Sequence, residues 1–483
     1  MNQANASAAP HALTPALRLI AGQVLSRAAG APLITGNRVQ LLIDGAQHFE
    51  AWAAMIESAR DYVLLENYII ADDIVGRRFR DLLVARARAG VQVALIHDWF
   101  GTFGNAKHAF FEPLRAAGIA VRVFNPPRLD SPLGWIGRDH RKLLVVDGRI
   151  GSLSGVCVAA KWLGDAAHGI PPWRDTGLLI EGPAVADLEA AFRESWGGMG
   201  PALEFAAAPV PAAQGEVALR VIATVPAQAA MYQLEQLIAA MATRTLWISD
   251  AYFVGVPTYV RGLAAAAADG VDVRLLVPGN NNLPAVAALS RAGFRPLLEA
   301  GIRVFEWNGS MMHAKTAVAD GRWARVGSSN LNLSSWLANC ELDAAIEDIG
   351  IAEQMQEHYL RDLDNATELL LAGRRPRPQG ERRRSARGGS SSRAAATALR
   401  LANTVGAAIA NRRVLADSER GVLSLAGIAL LLLAALGAWW PRVLAWPLAL
   451  FAAWLGASLL WKRILRQREA RRRAAAATRV PEK

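Results

Sequence analysis

Two stretches of this sequence carry the same arrangement of chemically able side chains. His140-Arg-Lys142-Leu-Leu-Val-Val-Asp147 and His313-Ala-Lys315-Thr-Ala-Val-Ala-Asp320 both read HxKxxxxD. One His-x-Lys pair alone is most simply a half-buried histidine beside a surface lysine; two whole copies call for a shared task. If each segment is a strand, residues i and i+2 point to one face, so His and Lys project together into a cleft. Two imidazoles and two ammonium groups in one cleft suit phosphoryl or phosphatidyl transfer. That chemistry needs a nucleophile, a proton donor for the leaving oxygen, and cations on the non-bridging oxygens. Proton transfer of this kind contributes factors of roughly 10²–10⁴. Asp147-Gly148 and Asp320-Gly321 are dipeptides that reverse a strand into a hairpin, so each aspartate is either a turn former or the partner of a local basic group.

The elements around these motifs repeat as well. DYVLLENYII, RARAGVQVALI, LRAAGIAVRVFN and DHRKLLVVDGRIGSLSG in the first half are followed, in the same order, by RTLWISDAYFV, AAADGVDVRLLV, LLEAGIRVFEWN and MHAKTAVADGRWARVGSSN in the second. Apolar β-rich runs such as 62–65 and 91–96 predict buried strands, and Ala-rich runs 79–89 and 260–268 predict helices. Gly90 and Gly270 stand where a helix ends in a left-handed residue. Strands alternating with helices predict an α/β fold: two repeated α-β-α sandwich domains, 36–205 and 216–372, packed about a pseudo-two-fold, after an N-terminal helical segment 1–35.

The net charge of +11 over 483 residues divides unevenly. From residue 374 onward 22 Lys and Arg stand against 5 Asp and Glu, which leaves 31 basic and 37 acidic residues in the body, near −6. A non-specific nucleic-acid binder carries its positive charge on the body that grips phosphates, so no nucleic-acid partner is expected. Two cysteines, Cys157 and Cys340, have neither disulfide nor metal-ligand spacing, and no metal site is expected. No Gly-rich nucleotide loop occurs, and no cofactor is implied. The other histidines (11, 48, 97, 108, 168 and 358) show no paired spacing.

The 52% hydrophobic content concentrates toward the C-terminus. Residues 373–420 read as a basic linker, within which 398–415 form either a basic amphipathic surface helix or plain linker. Residues 421–440 and 443–461 are apolar runs of spanning length around Pro441 and Arg442, and predict a transmembrane hairpin within 421–461. Arg412, Arg413 and Arg420 precede it and the basic tail 462–483 follows, which puts both ends in the cytoplasm. Trp439, Trp440 and Trp461 suit interfacial positions. The N-terminus lacks the pattern of a secretory signal. The expectation is a multi-pass protein of a bacterial inner membrane, with the body on the cytoplasmic face.

The paired motifs resemble the phospholipase D superfamily, whose pattern continues from HxKxxxxD through six residues to Gly, two residues and Asn. The second copy matches in Gly327, Ser328, Ser329 and Asn330; the first has Ser154 and Cys157 where the family has Gly and Asn. The family also has an acidic residue some thirty positions after each His, and Asp175 and Glu341 match. The resemblance implies that they bind the far imidazole nitrogens, across the repeats, with Glu341 serving His140 and Asp175 serving His313. Ion pairs with Arg174 or Arg325 are the alternative. The second motif together with Asn339-Cys340-Glu341 is most similar to bacterial cardiolipin synthases, over about residues 36–370. That resemblance implies transfer from phosphatidylglycerol, an anionic glycerophospholipid, to a second lipid alcohol through a phosphohistidine and without a metal. It implies His140 as nucleophile, His313 as general acid, Lys142 and Lys315 on the phosphate, and Asp147 and Asp320 within the catalytic set. Ser328 and Asn330 are implied in support. Hydrolysis of phospholipid and, at a distance, nucleic-acid cleavage are the alternatives.

Overall fold

The computed structural model describes residues 15–128, 137–371 and 412–415, with scattered positions between 431 and 457. The first half supplies seven strands: β1 (Ile34–Ile43), β2 (Tyr62–Asn67), β3 (Gln92–Asp98), β4 (Ala120–Phe124), β5 (Lys142–Val146), β6 (Ile150–Ser154) and β7 (Thr176–Glu181). The second supplies β8 (Val217–Thr224), β9 (Thr245–Ser249), β10 (Asp272–Pro278), β11 (Arg303–Trp307), β12 (Thr316–Ala319), β13 (Trp323–Gly327), β14 (Glu341–Glu347) and β15 (Ala366–Leu371).

In space the first set runs β4-β3-β2-β5-β6-β7-β1 and the second β11-β10-β9-β12-β13-β14-β8, so the strand order is the same in both halves. The halves meet where β1 pairs antiparallel with β8. Strands β2, β3 and β4 are parallel neighbours, as are β9, β10 and β11. Their crossovers are helices, which is what a parallel pair requires.

Those helices begin and end for local reasons. Asp73 caps the helix Ile74–Arg88 by accepting from the amides of Val75 and Gly76 at 3.0 Å, and Gly90, at φ +93°, closes it. The matching helix Pro257–Ala268 starts on its proline and is closed by Gly270 at φ +96°. Helices 44–57 and 74–88 cover the outer face of the first sheet, and helices 230–241 and 257–268 that of the second. Helices Val185–Gly198 and Ile349–Asp364 lie between the sheets, in a core that draws Leu64, Leu143 and Phe192 from one half and Val318, Leu342 and Ile351 from the other. This is a shared core, so the halves are held together by the hydrophobic effect.

A strand β16 (Arg412–Leu415) pairs parallel with β15 at the sheet edge. These four residues were expected in a surface helix or a linker; their Arg-Arg-Val-Leu run instead completes a ladder with Glu368–Leu371. Among the described residues no helix is long and apolar enough to cross a membrane. The two expected spans, 421–440 and 443–461, fall almost wholly outside the described residues, as does the tail 462–483.

Candidate active site

The HxK segments do not sit inside their strands. β5 begins at Lys142 and β12 at Thr316, so His140, His313 and Lys315 precede the ladders that were expected to hold them. Their backbones are claimed by the opposite half. His140 N–H donates to the Cys340 carbonyl at 2.9 Å, and Cys340 N–H returns to Arg138 at 2.8 Å. Likewise His313 N–H donates to Arg174 at 2.7 Å, and Arg174 N–H returns to Met311 at 2.9 Å. Each histidine is thereby carried beside the segment that bears the other repeat's acidic residue. At the end of β3, Asp98 accepts from the Asp139 amide at 2.9 Å and fixes the approach to His140.

The side chains complete the reciprocity. His140 Nδ1 lies 2.8 Å from Glu341 Oε2, and His313 Nδ1 lies 2.8 Å from Asp175 Oδ2. The arginines named as alternative partners are engaged elsewhere, Arg174 with Asp362 and Asp44, and Arg325 with Glu235 and Asp343. Each carboxylate is itself held. Glu341 accepts from Ser328 Oγ at 2.6 Å and Asn339 Nδ2 at 3.1 Å; Asp175 accepts from Trp162 Nε1 and the Thr176 amide, both at 2.9 Å. With Nδ1–H donated to a carboxylate, each imidazole carries its lone pair on Nε2, which in His313 lies 3.1 Å from Lys315 Nζ. Lys142 and Lys315 are fully buried, and each ammonium donates to the carbonyl of the histidine two residues before it.

The electrostatics fit a site made to receive an anion. Burial, with Lys142 and Lys315 adding to it against the pull of Glu341, lowers the His140 pKa. Burial and Lys315, against Asp175, lower that of His313 to about 3. Each imidazole lies against the opposite repeat, and both lysines weigh on both imidazoles. Burial opposes the charge on Glu341, yet His140, Lys142 and Ser328 outweigh it and hold the carboxyl down to about 2. Burial likewise opposes Asp175, and His313, Lys315 and Trp162 hold it well below the usual carboxylate range. Burial brings the Lys315 ammonium down to about 8. Near neutral pH the carboxylates are charged, the imidazoles neutral and Lys315 cationic.

Asp147 and Asp320, expected in the catalytic set, are not part of this cleft. They stand at the far ends of β5 and β12, with φ of +53° and +54°, each followed by a glycine that is also left-handed. These are the paired positive φ values of a type I′ turn. Asp147 accepts the amides of Arg60, Asp61 and Tyr62 at 2.9 Å, and Asp320 those of Thr243, Arg244 and Thr245 at 2.7–2.9 Å. Each one ties its hairpin to the start of the neighbouring strand, β2 or β9. Burial opposes the Asp320 charge, but the Thr245 and Thr243 donors outweigh it and keep its pKa below the ordinary value.

Ser328 acts through Glu341, as just described. The Asn330 amide donates to Ser335 Oγ at 3.2 Å, and its buried side-chain carbonyl makes no hydrogen bond among the described residues. In the first repeat Cys157 is buried and burial pushes its thiol up, while Ser154 Oγ accepts from Val156 N–H at 3.0 Å. Among the described residues no three His, Cys, Asp or Glu side chains gather as metal ligands. Sequence reasoning missed the aromatic walls. Tyr68 stands edge-on to His140 at 4.9 Å between ring centroids; Tyr252, Trp162 and Trp173 lie 5.8, 5.2 and 5.6 Å from His313. Tyr68 and Tyr252 hold equivalent places in the repeat, in ENYII and DAYFV, and that match was a usable signal.

The family described as "Cardiolipin synthase, PLD-like domain" matches residues 234–363. The chain is 32% identical over 344 residues to a cardiolipin synthase of Geobacillus kaustophilus, a match that covers 70% of this chain and 68% of that one. It is 33% identical over 348 residues to cardiolipin synthase A of Pseudomonas entomophila, covering 70% and 71%. The chain belongs to the cardiolipin synthase family. As a member of that family it is a phospholipase D-type phosphatidyltransferase. Its fold is also that of a phosphatidylserine synthase from Haemophilus influenzae, with a TM-score of 0.56 at 14% identity, over 72% of this chain and 91% of that one.

Proposed function

We propose that the protein joins phosphatidylglycerol to a second lipid alcohol in two displacements at one phosphorus. In the first, His140 Nε2 attacks, an N–P bond forms, the bond from phosphorus to the glycerol headgroup breaks, and His313 gives the departing oxygen its proton. In the second, the hydroxyl of the incoming lipid loses its proton to His313 and attacks phosphorus, and the N–P bond breaks. Lys142 and Lys315 neutralise the non-bridging oxygens throughout. The negative phosphodiester offsets the repulsion between these lysines and a protonated His313, so the acid gains its proton with the substrate.

The observation that carries this reading is the reciprocal pair His140–Glu341 and His313–Asp175, each 2.8 Å long and each crossing the repeats. The two differ in what surrounds them, so the halves have different tasks: His140 faces Tyr68, whereas His313 is walled by Trp162, Trp173 and Tyr252. A lipid substrate also suits the exposed Phe100 and Phe103, which follow β3, and Leu283 and Leu289, which follow β10. The apolar runs 421–440 and 443–461 and the basic residues beside them suit attachment of the body to a membrane.

Purified protein in detergent with EDTA, given phosphatidylglycerol, is expected to form cardiolipin and release glycerol. Phosphatidic acid as the product would make it a hydrolase, and plasmid cleavage without lipid product a nuclease. A denaturing quench at neutral to alkaline pH, which spares the acid-labile N–P bond, followed by mass spectrometry should find a phosphatidyl group on the His140 peptide; the adduct on His313 would exchange the two roles. A chain lacking residues 374–483 should leave the membrane fraction and still turn over micellar substrate.

A further inference from the structure

The two histidines, two lysines and two carboxylates obey the pseudo-two-fold, but the cleft has a third cation that does not. Lys161 lies in the turn Ala160–Trp162 after β6. Its ammonium stands 5.0 Å from the ring centroid of Trp162 and 5.1 Å from that of Trp173. The same two indoles flank His313. Lys161 and His313 thus share two aromatic neighbours, which puts the third cation on the catalytic side of its loop. In the second repeat the loop after β13 reads Asn330-Leu-Asn-Leu-Ser-Ser-Trp336 and has no lysine.

Lys161 is largely shielded from water, yet among the described residues no carboxylate forms an ion pair with it. The nearest influential acid, Asp73, is occupied by the amides of Val75, Gly76 and Ala160. Contact with two aromatic faces fixes the ammonium in place without neutralising it. A sheltered, pre-positioned cation lacking an anion is suited to bind one from a ligand.

The reaction proposed above supplies a second anion. The reacting phosphorus takes the symmetric lysines, but an acceptor phosphatidylglycerol brings its own phosphate, one glycerol unit from the hydroxyl that attacks. We propose that Lys161, framed by Trp162 and Trp173, holds the phosphate of the acceptor lipid and so delivers its terminal hydroxyl to His313. Lys161 is then a specificity residue, which makes the enzyme prefer a phosphate-bearing alcohol to a neutral one. The inference rests on the phosphatidyl-transfer reading.

The test compares two acceptors with one donor. Full-length protein in detergent is given phosphatidylglycerol, and cardiolipin formation is measured beside exchange of labelled free glycerol into the phosphatidylglycerol pool. Lys161→Gln is expected to slow cardiolipin formation about tenfold, through the KM for acceptor, the size of one charge-assisted contact to phosphate. Glycerol exchange, which has no acceptor phosphate, should stay within about twofold of the parent and so doubles as a check on folding. Lys161→Arg should recover most of the cardiolipin formed. Equal losses with both acceptors would assign Lys161 a structural part, and no loss with either would remove it from the site; both overturn the inference. A parent enzyme that moves phosphatidyl groups to neither acceptor would overturn the underlying reading, and this one with it.

Discussion

His140 Nδ1 lies 2.8 Å from Glu341 Oε2, although the two residues are 201 positions apart and belong to different repeats. The imidazole of one half is thus oriented by the other half. Glu341→Gln keeps the shape but can turn an NH2 toward Nδ1, which favours the tautomer whose Nε2 carries the proton and cannot attack. We expect kcat to fall about 10²-fold or more with the melting temperature little changed, and Asp175→Asn to behave alike. Retention of more than a tenth of the parent kcat by either variant would refute the orienting role.

A pH profile isolates Lys315. Burial brings its pKa down to about 8, with Lys142 adding to the effect and Asp175 resisting it. Below that pH the ammonium is charged and can hold phosphate; as pH rises through about 8 the charge is lost. The expected kcat/KM therefore has an alkaline limb near pH 8, falling about tenfold per further unit, as a single ionisation does. In kcat the limb should move upward, because bound phosphate favours the ammonium. A kcat/KM that is level to pH 9.5 would contradict this.

Much of the site was legible because its signals are local. The HxK spacing and the repeat order lie within short windows, whereas Asp175 and Glu341 came only from the family resemblance. What could not be read depends on contacts with remote chain. The strand expected to contain His140 starts two residues later because the His140 amide bonds to Cys340, 200 positions away, and a period-two pattern carries no trace of that. The role of Asp147 was half legible: Asp-Gly announced the turn, but the three amides that it accepts belong to residues 60–62, on another strand. Trp162 and Trp173 look like ordinary core aromatics in sequence, and only the fold sets them against His313.

The lysine assigned to the substrate phosphate in the proposed mechanism should cost stability. With a folded pKa near 8 against an unfolded value of about 10.4, the folded protein binds fewer protons than the unfolded chain between those limits, so stability from this group rises with pH there. Its unfavourable contribution is full at pH 7 and gone above pH 10.4. Lys315→Met should abolish turnover and raise Tm at pH 7 by about 2–4 °C, with the gain shrinking toward pH 10. Differential scanning calorimetry at the two pH values decides it, and a lower Tm at pH 7 would show the ammonium to be a structural asset.

Asp147 and Asp320 predict the opposite profile from the histidines with which they share a motif. Each carboxylate holds three main-chain amides that begin a neighbouring strand, on turns whose left-handed backbone is already demanding. Asp147→Ala leaves those donors to water or to nothing, and at about 1 kcal/mol each the loss approaches 2–3 kcal/mol. Yet no atom of the cleft moves directly, since both aspartates lie at the far ends of β5 and β12. The variant should melt several degrees lower and, well below its Tm, keep kcat within about threefold of the parent, whereas His140→Ala should keep its Tm and lose turnover. Melting curves paired with rates at low temperature separate the two classes. A folded Asp147→Ala protein as inactive as His140→Ala would return Asp147 to the catalytic set.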